Sequence, residues 1–291
     1  MHPVAARAPA PDWTAAMRAG DYARAWSLSE ETLATRDPAT RDDPRLPYHL
    51  RWVWDGTPPD GRDVLVRCYH GLGDTLQFAR YLPELARRAA SVTVEVHPRL
   101  LCLLEIFPVR LVPFEPARPL PPSGCDIEIM ELAFALRLPP EGCADPWLAA
   151  DGFTFPAGTI GLCLTAGEWD SARCVPAKAF AATPLQRPCI ALDLGRSALA
   201  VLNPGGCPAE LDATAAFVAG CEAVITVDTM IAHLAGVMGK PAWLMLREGC
   251  DWRWTPGTER SAWYPSLRLV HQDAPGEWAP VVARVRAETG L

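Results

Sequence analysis

Two strand-to-helix turns, roughly 150 residues apart, constrain this chain more than any other feature: Tyr69-His70-Gly71-Leu72-Gly73-Asp74-Thr75 and Ile225-Thr226-Val227-Asp228-Thr229-Met230-Ile231-Ala232-His233. Each follows an apolar run of β type and opens an amphipathic helix. Each therefore directs unpaired backbone N–H groups and a carboxylate toward the crevice above the strand ends. A pair of such turns predicts two α/β domains facing one cleft. A chain of 291 residues, 49% hydrophobic and 21% charged, is long enough to fill two modest cores.

Composition removes several classes of function. A formal net charge of −7, with no run of lysine or arginine, gives no electrostatic reason for nucleic acid or an anionic membrane to be the main partner. The ten cysteines form no C-x-x-C pair and sit mostly in apolar runs (Cys68, Cys163, Cys189, Cys221), which predicts reduced, buried thiols and no metal site. The stretch from Met1 to Arg7 lacks the apolar core of a signal peptide, and no stretch reaches the about 18 apolar residues of a membrane span. These features predict a cytoplasmic protein without integral membrane association.

Along the chain, residues 1–45 form a first segment: Trp13, Met17, Tyr22, Ala25, Trp26, Leu28 and Leu33 stand at helical spacing, broken by Gly20-Asp21, and predict a helix pair. The proline-rich stretch from Asp37 to Arg62 carries Tyr48, Trp52 and Trp54 and reads as an ordered connector whose aromatics dock on the adjoining domain. A first Rossmann-like domain over 46–151 carries β-type runs at Val64–Tyr69, Val92–Val96, Val109–Val112 and Ile127–Met130. A second over 152–291 carries runs at Ile160–Leu164, Cys189–Leu192, Ala200–Leu202, Val224–Val227, Ala242–Leu246 and Leu267–Val270, and closes with an amphipathic helix from Glu277 to Glu288.

The turns differ in chemistry. Gly71-x-Gly73 lacks the third glycine of a dinucleotide fingerprint, Leu76 standing in its place. Asp74 in the first helical turn would compete with a pyrophosphate for the same N–H groups. Asp74 is either a general base for a hydroxyl or simply a helix cap. In the second turn, Thr229, Ala232, His233 and Gly236 fall on one small or polar face at about 100° per residue. That face leaves room for a ligand against the helix start, with Asp228 capping or binding a sugar hydroxyl and Thr229 and His233 meeting a phosphate. A capped core helix with a satisfied histidine is the other reading. Thr165-Ala166-Gly167, after the Ile160 strand, forms a third candidate loop, to which Arg173 or Lys178 would bring positive charge. Asp251-Trp252-Arg253-Trp254 is placed to close over a ligand, with tryptophans that either stack on it or pack inside. There is no G-x-S-x-G elbow, Walker lysine motif, H-E-x-x-H or D-x-D pair. Glu168-x-Asp170 and Asp126-x-Glu128 read as loop and strand-face residues.

The string from Gly71 to Pro83, the string from Val227 to Gly236, and Asp251-Trp252-Arg253-Trp254 with Trp263-Tyr264-Pro265 together resemble the heptosyltransferase-like glycosyltransferases of family 9, in particular the branch often fused to tetratricopeptide repeats. The resemblance covers about residues 50 to 290. It implies a GT-B fold, that is, an acceptor domain and a donor-binding domain with the active site between them, preceded here by a repeat-like helical remnant. It also implies metal-independent, inverting transfer of a sugar from a nucleotide-diphosphate donor to a glycan, a lipopolysaccharide core or a protein, without a cofactor. By position, Asp74 matches the base, and Asp228-Thr229 with His233 match the donor-binding turn. The loop Glu168-Trp169-Asp170-Ser171-Ala172-Arg173 is more acidic than that family's pattern, and the stretch from Arg187 to Ala223 is shorter. A non-catalytic binding or scaffolding protein of the same fold is the alternative, and a Rossmann oxidoreductase a more distant one.

Overall fold

The computed structural model describes residues 11–291, apart from the side chains of Glu168 and Trp169. The expectations for residues 1–10, and for the charge of Glu168, lie outside the described residues. The chain divides into two compact units, the first ending at Cys143 and the second running Ala144–Leu291. The helical segment expected over 1–45 thus belongs to the first unit, and residues 144–151 go with the second.

Unit 1 opens with α1 (Pro11–Arg18) and α2 (Tyr22–Ala34). Gly20 takes the positive φ of 71° that the sharp turn between them requires, and the Asp21 carboxylate accepts the Arg24 N–H to cap α2. The Trp13 indole donates to Ser29 Oγ at 3.0 Å, tying the two helices together. Trp26 packs on Phe134 and the Tyr22 hydroxyl donates to Glu141, which anchors the pair to the rest of the unit. Two of the connector's three aromatics dock as expected, Trp54 being buried edge-on against Phe134 and Tyr48 packing on Tyr69 and Phe114, whereas the Trp52 indole donates within the connector to Thr40 Oγ1 at 3.1 Å.

The rest of unit 1 comprises β1 (Asp63–Arg67), α3 (Leu72–Phe78), α4 (Leu82–Arg88), β2 (Ser91–Val96), α5 (Leu101–Leu104), β3 (Arg110–Pro113), β4 (Cys125–Glu128) and α6 (Leu132–Leu136). The sheet is parallel throughout, in the order β3-β2-β1-β4, with Val64 opposite both Val92 and Cys125. A central parallel strand is covered on both faces, which accounts for the continuous burial of residues 64–67. Arg67 is the polar exception. It is fully buried and ion-paired to Glu95 and Asp126, whose remaining oxygens accept the N–H groups of Leu120 and Ser123. Every member of this network is bonded, the condition under which buried charges are tolerated, and it fastens the loop before β4 to the sheet.

Unit 2 consists of β5 (Ile160–Cys163), α7 (Ala177–Phe180), β6 (Cys189–Ala191), α8 (Leu211–Gly220), β7 (Ala223–Val227), α9 (Met230–Val237), β8 (Ala242–Leu246), β9 (Leu267–His271) and α10 (Trp278–Thr289). Its sheet is also all parallel, in the order β6-β5-β7-β8-β9. Ile160, Leu162, Ile225, Val227 and Met245 meet Phe180 and the inward face of α10, with Trp278, Val281, Val282 and Val285, in one apolar cluster. The strand expected at Ala200–Leu202 does not form. The Asn203 side chain takes both the N–H and the C=O of Ala191, the groups a further strand would need, and Leu202 makes a single backbone bond to Cys189. The edge at β6 is therefore closed by an amide side chain instead of a ladder.

Candidate functional site

Ligands of open parallel sheets bind outside the carboxyl ends of the strands. In unit 2 that edge carries a pocket of about 160 Å³ lined by Asp170, Arg173, Asp228, Arg247 and Asp251 together with residues at the end of β8. Two guanidiniums thus face three carboxylates. Arg173 donates through Nη1 to the backbone oxygen of Asp228 at 2.6 Å, and Arg247 lies 3.1 Å from Asp170. Asp251 pairs with Arg253, which lies over the Trp252 ring. Burial raises the Asp228 carboxyl to about 6, with the neighbouring charge of Asp251 adding to the effect; Trp254, Arg173 and Arg253 oppose it. The Trp254 indole N–H lies near that carboxylate but short of regular hydrogen-bond geometry.

Three expectations change here. The small face of α9 is not open: a Cβ on Gly236 would stand 2.4 Å from the Tyr264 ring, so the glycine admits that ring to close contact. His233, 6% exposed, shares a 2.9 Å hydrogen bond between Nδ1 and the Tyr264 hydroxyl and packs against Trp254. It is a bonded core histidine, and Thr229 is the N-cap residue of α9 without a side-chain capping bond. Trp254 is fully buried and cannot stack on a ligand, whereas Trp252 is half-buried, edge-on to Trp263. The loop after β5 is also internally satisfied: Asp193 accepts the N–H groups of Leu164 and Thr165 and the Thr165 hydroxyl, and the Ala166 N–H points to Cys174 Sγ. Gly167, beyond it, is exposed.

In unit 1 the corresponding edge holds the Gly71 turn. Asp74 Oδ2 accepts the Gly71 N–H at 3.0 Å, so the carboxylate does act as a helix-start cap. Gly71 itself is extended, at φ −70° and ψ 165°, and Gly73 lies within α3. One residue before the turn, His70 Nδ1 lies 2.9 Å from Glu128 Oε1, while Glu128 Oε2 accepts the Met130 N–H.

The sequence reading missed Arg247 as a pocket residue and gave His70 and Glu128 no role. Arg247 directly follows β8 as Asp228 follows β7, and the carboxyl-edge rule applied to every strand would have found it. The pairing of His70 with Glu128 depends on β1 and β4 being neighbours, which no local pattern states. Among the described residues no group of three or more histidine, cysteine or acidic side chains is arranged to hold a metal, and no helix is long and apolar enough to cross a membrane.

No protein-family model matches the chain. A curated relative, Protein FlbA of Caulobacter vibrioides, is 38% identical over 77 residues; the match spans 26% of this chain and 13% of FlbA. Among solved structures, the ADP-heptose lipopolysaccharide heptosyltransferase II of E. coli superposes with a TM-score of 0.55 at 16% identity, over 78% of this chain and 98% of that one. A family 9 glycosyltransferase from Veillonella parvula gives 0.53 at 12% identity, over 74% and 87%. At such identities the likeness is one of fold: the chain has the α/β architecture, with two parallel sheets, of these GT-B structures.

Proposed function

We propose that the protein is a glycosyltransferase that moves a sugar from a nucleotide-diphosphate donor held by unit 2 to a hydroxyl acceptor, by metal-independent inverting transfer. The observation that carries this is the pocket at the carboxyl edge of the unit 2 sheet, lined by Arg173 and Arg247 beside the turn that opens α9, within a fold shared with the two solved transferases. At about 160 Å³ the pocket is well below the roughly 300–1,000 Å³ of ordinary ligand sites, so it takes one part of the donor, a ring or a phosphate, with the remainder along the sheet edge. The arginines and the N–H groups at the start of α9 offset charge on the departing diphosphate. Asp74 takes the acceptor proton as its oxygen attacks the anomeric carbon and the nucleoside diphosphate leaves. The E. coli neighbour's ADP-heptose makes a heptose donor the first to test. The acceptor classes are a glycan, a lipopolysaccharide core or a protein hydroxyl.

A second reading, binding without catalysis, is favoured by Asp170, which stands against Arg247 and near Arg173 where a phosphate would otherwise bind. A thermal-shift screen against ADP-, GDP-, UDP- and CMP-linked sugars, free nucleotides and NAD separates the two. A ligand at 100 times its Kd stabilises the folded state by about 2.7 kcal/mol. Selective stabilisation by one nucleotide family, lost in Arg247→Ala, supports the transferase; no shift with any nucleotide supports the second reading.

A further inference from the structure

The Asp170 carboxylate stands in the unit 2 pocket as a phosphate oxygen of a ligand would stand there. One oxygen, Oδ2, lies 3.1 Å from Nε of Arg247 and 3.8 Å from Nε of Arg173, so a single acidic atom bridges the two guanidiniums that line the cavity. Asp170 interrupts the short helical turns of residues 168–173 with an extended backbone, φ −147° and ψ 84°. Its other oxygen accepts the Ala172 N–H at 3.2 Å, a bond inside the same loop. The loop is fastened at its two ends: Asp193 holds the N–H groups of Leu164 and Thr165, and the Val175 N–H donates to the Leu164 oxygen.

Arg67 offers a contrast. Arg67 and its two carboxylates are sealed in the unit 1 sheet, at most 4% exposed, whereas the side chains of Asp170 and Arg247 keep 17% and 34% of their surface. A sealed pair that loses a partner leaves a buried charge behind, but a pair in contact with water separates at little cost. The charge of the lining points the same way. Two guanidiniums against three carboxylates leave it one negative charge at neutral pH, which is unfavourable for a diphosphate until a carboxylate withdraws.

We propose that Asp170 is an internal competitor for the anion site: a ligand diphosphate binds by taking the place of its carboxylate on Arg247, and Asp170 thereby sets how tightly nucleoside diphosphates are held. This rests on the transferase reading above and deepens it, by turning the feature that favoured binding without catalysis into a control on donor affinity. The exchange replaces one charge-assisted contact on the guanidinium by another, a phosphate oxygen for a carboxylate oxygen, while the Asp170 side chain turns into solvent. Arg173 stays bonded to the Asp228 backbone oxygen and Arg247 to that of Glu248, so both guanidiniums keep a protein contact as the anion changes.

The test is titration calorimetry with ADP, GDP, UDP and inorganic pyrophosphate, and with adenosine, guanosine and uridine as uncharged counterparts. It uses the full chain as wild type, Asp170→Asn, Asp170→Glu and Asp251→Asn. Asp170→Asn keeps the size of the side chain and removes its charge. It is expected to bind the preferred nucleoside diphosphate and pyrophosphate about tenfold more tightly or better, the scale of removing one like charge from a partly solvated site, with the nucleoside unchanged. Asp170→Glu keeps a competing carboxylate and should bind as the wild type does. Asp251→Asn removes a carboxylate of the same lining that pairs with Arg253, and should gain less than Asp170→Asn. Without ligand, Asp170→Asn should melt as the wild type does. Equal or weaker diphosphate binding in Asp170→Asn overturns the proposal and leaves the transferase standing. An equal gain in Asp251→Asn assigns the effect to summed charge and overturns it. So does an Asp170→Asn protein that melts well below the wild type or binds the nucleoside more tightly as well, because Asp170 would then be shaping the loop. No binding of any nucleoside diphosphate by either protein overturns the proposal together with the reading it rests on.

Discussion

At the residue scale, two carboxylates at sheet edges behave differently because their surroundings differ. Asp74 is held by a backbone N–H, and an asparagine oxygen can accept the same bond. Asp74→Asn should therefore fold with an unchanged melting temperature and unchanged donor-induced stabilisation, yet lose transfer by about 10²–10⁴-fold, the range for removal of a general base. Undiminished turnover would remove Asp74 from the mechanism. Asp228 is half-buried beside Asp251, and its carboxyl is raised from 3.8 to about 6. A raised folded value means that the group's stabilising contribution is fully present below 3.8 and is lost as the pH rises through about 6. At about 1.4 kcal/mol per pH unit across that window, the ceiling is about 3 kcal/mol, less whatever solvent screens. The stability of the wild type relative to Asp228→Asn, from urea denaturation at pH 4, 5, 6 and 7, should fall with rising pH. A flat difference would show that the carboxyl titrates in its ordinary range. By the same reasoning a diphosphate should bind more weakly as the pH rises through 6, because Asp228 then adds a negative charge to its pocket.

At the element scale, α9 shows what a helix gives up to be packed on all sides. Ile231 to Val237 are all buried, and Gly236 admits the Tyr264 ring. Gly236→Ala ordinarily favours a helix by about 1 kcal/mol, but here a methyl group at 2.4 Å from an aromatic carbon must displace Tyr264 and with it the bond to His233. Overpacking of this kind costs about 1–3 kcal/mol, so the variant should melt lower; a higher melting temperature would mean that Tyr264 moves freely. The strands β1, β5, β7 and β8 were legible in the sequence because parallel strands buried on both faces leave near-continuous apolar runs. Ala200–Leu202 has the same local character and yet stays irregular, because Asn203 reaches back to the backbone of Ala191, a decision taken by one side chain across the edge. The site was legible to the same depth. The Gly71 and Asp228 turns announce themselves, but the burial of Trp254, the Asp170–Arg247 contact and the His70–Glu128 pair arise from strand order and loop return, which periodicity does not encode.

At the scale of the whole molecule, all the residues lining the pocket belong to unit 2, which also encloses its own apolar cluster around α10. Residues 144–291 expressed alone should therefore fold cooperatively and retain the nucleotide-induced thermal shift of the full chain. A fragment that folds but no longer responds would show that binding needs residues 1–143. The ten cysteines all lie among the described residues and outside any disulfide: Cys102 is exposed, Cys143 and Cys174 are partly covered, and seven are buried, with Cys68 and Cys125 in unit 1 and Cys163, Cys189, Cys207, Cys221 and Cys250 in unit 2. A buried thiol reacts with an alkylating reagent only when its surroundings open, so the fraction modified over time counts openings. Unlabelled wild-type protein thus carries hidden clocks spread over both units. Mass mapping of iodoacetamide adducts should show Cys102 modified within the first exposure and the seven buried thiols at the pace at which each neighbourhood breathes, giving a site-by-site record of motion without a single engineered probe.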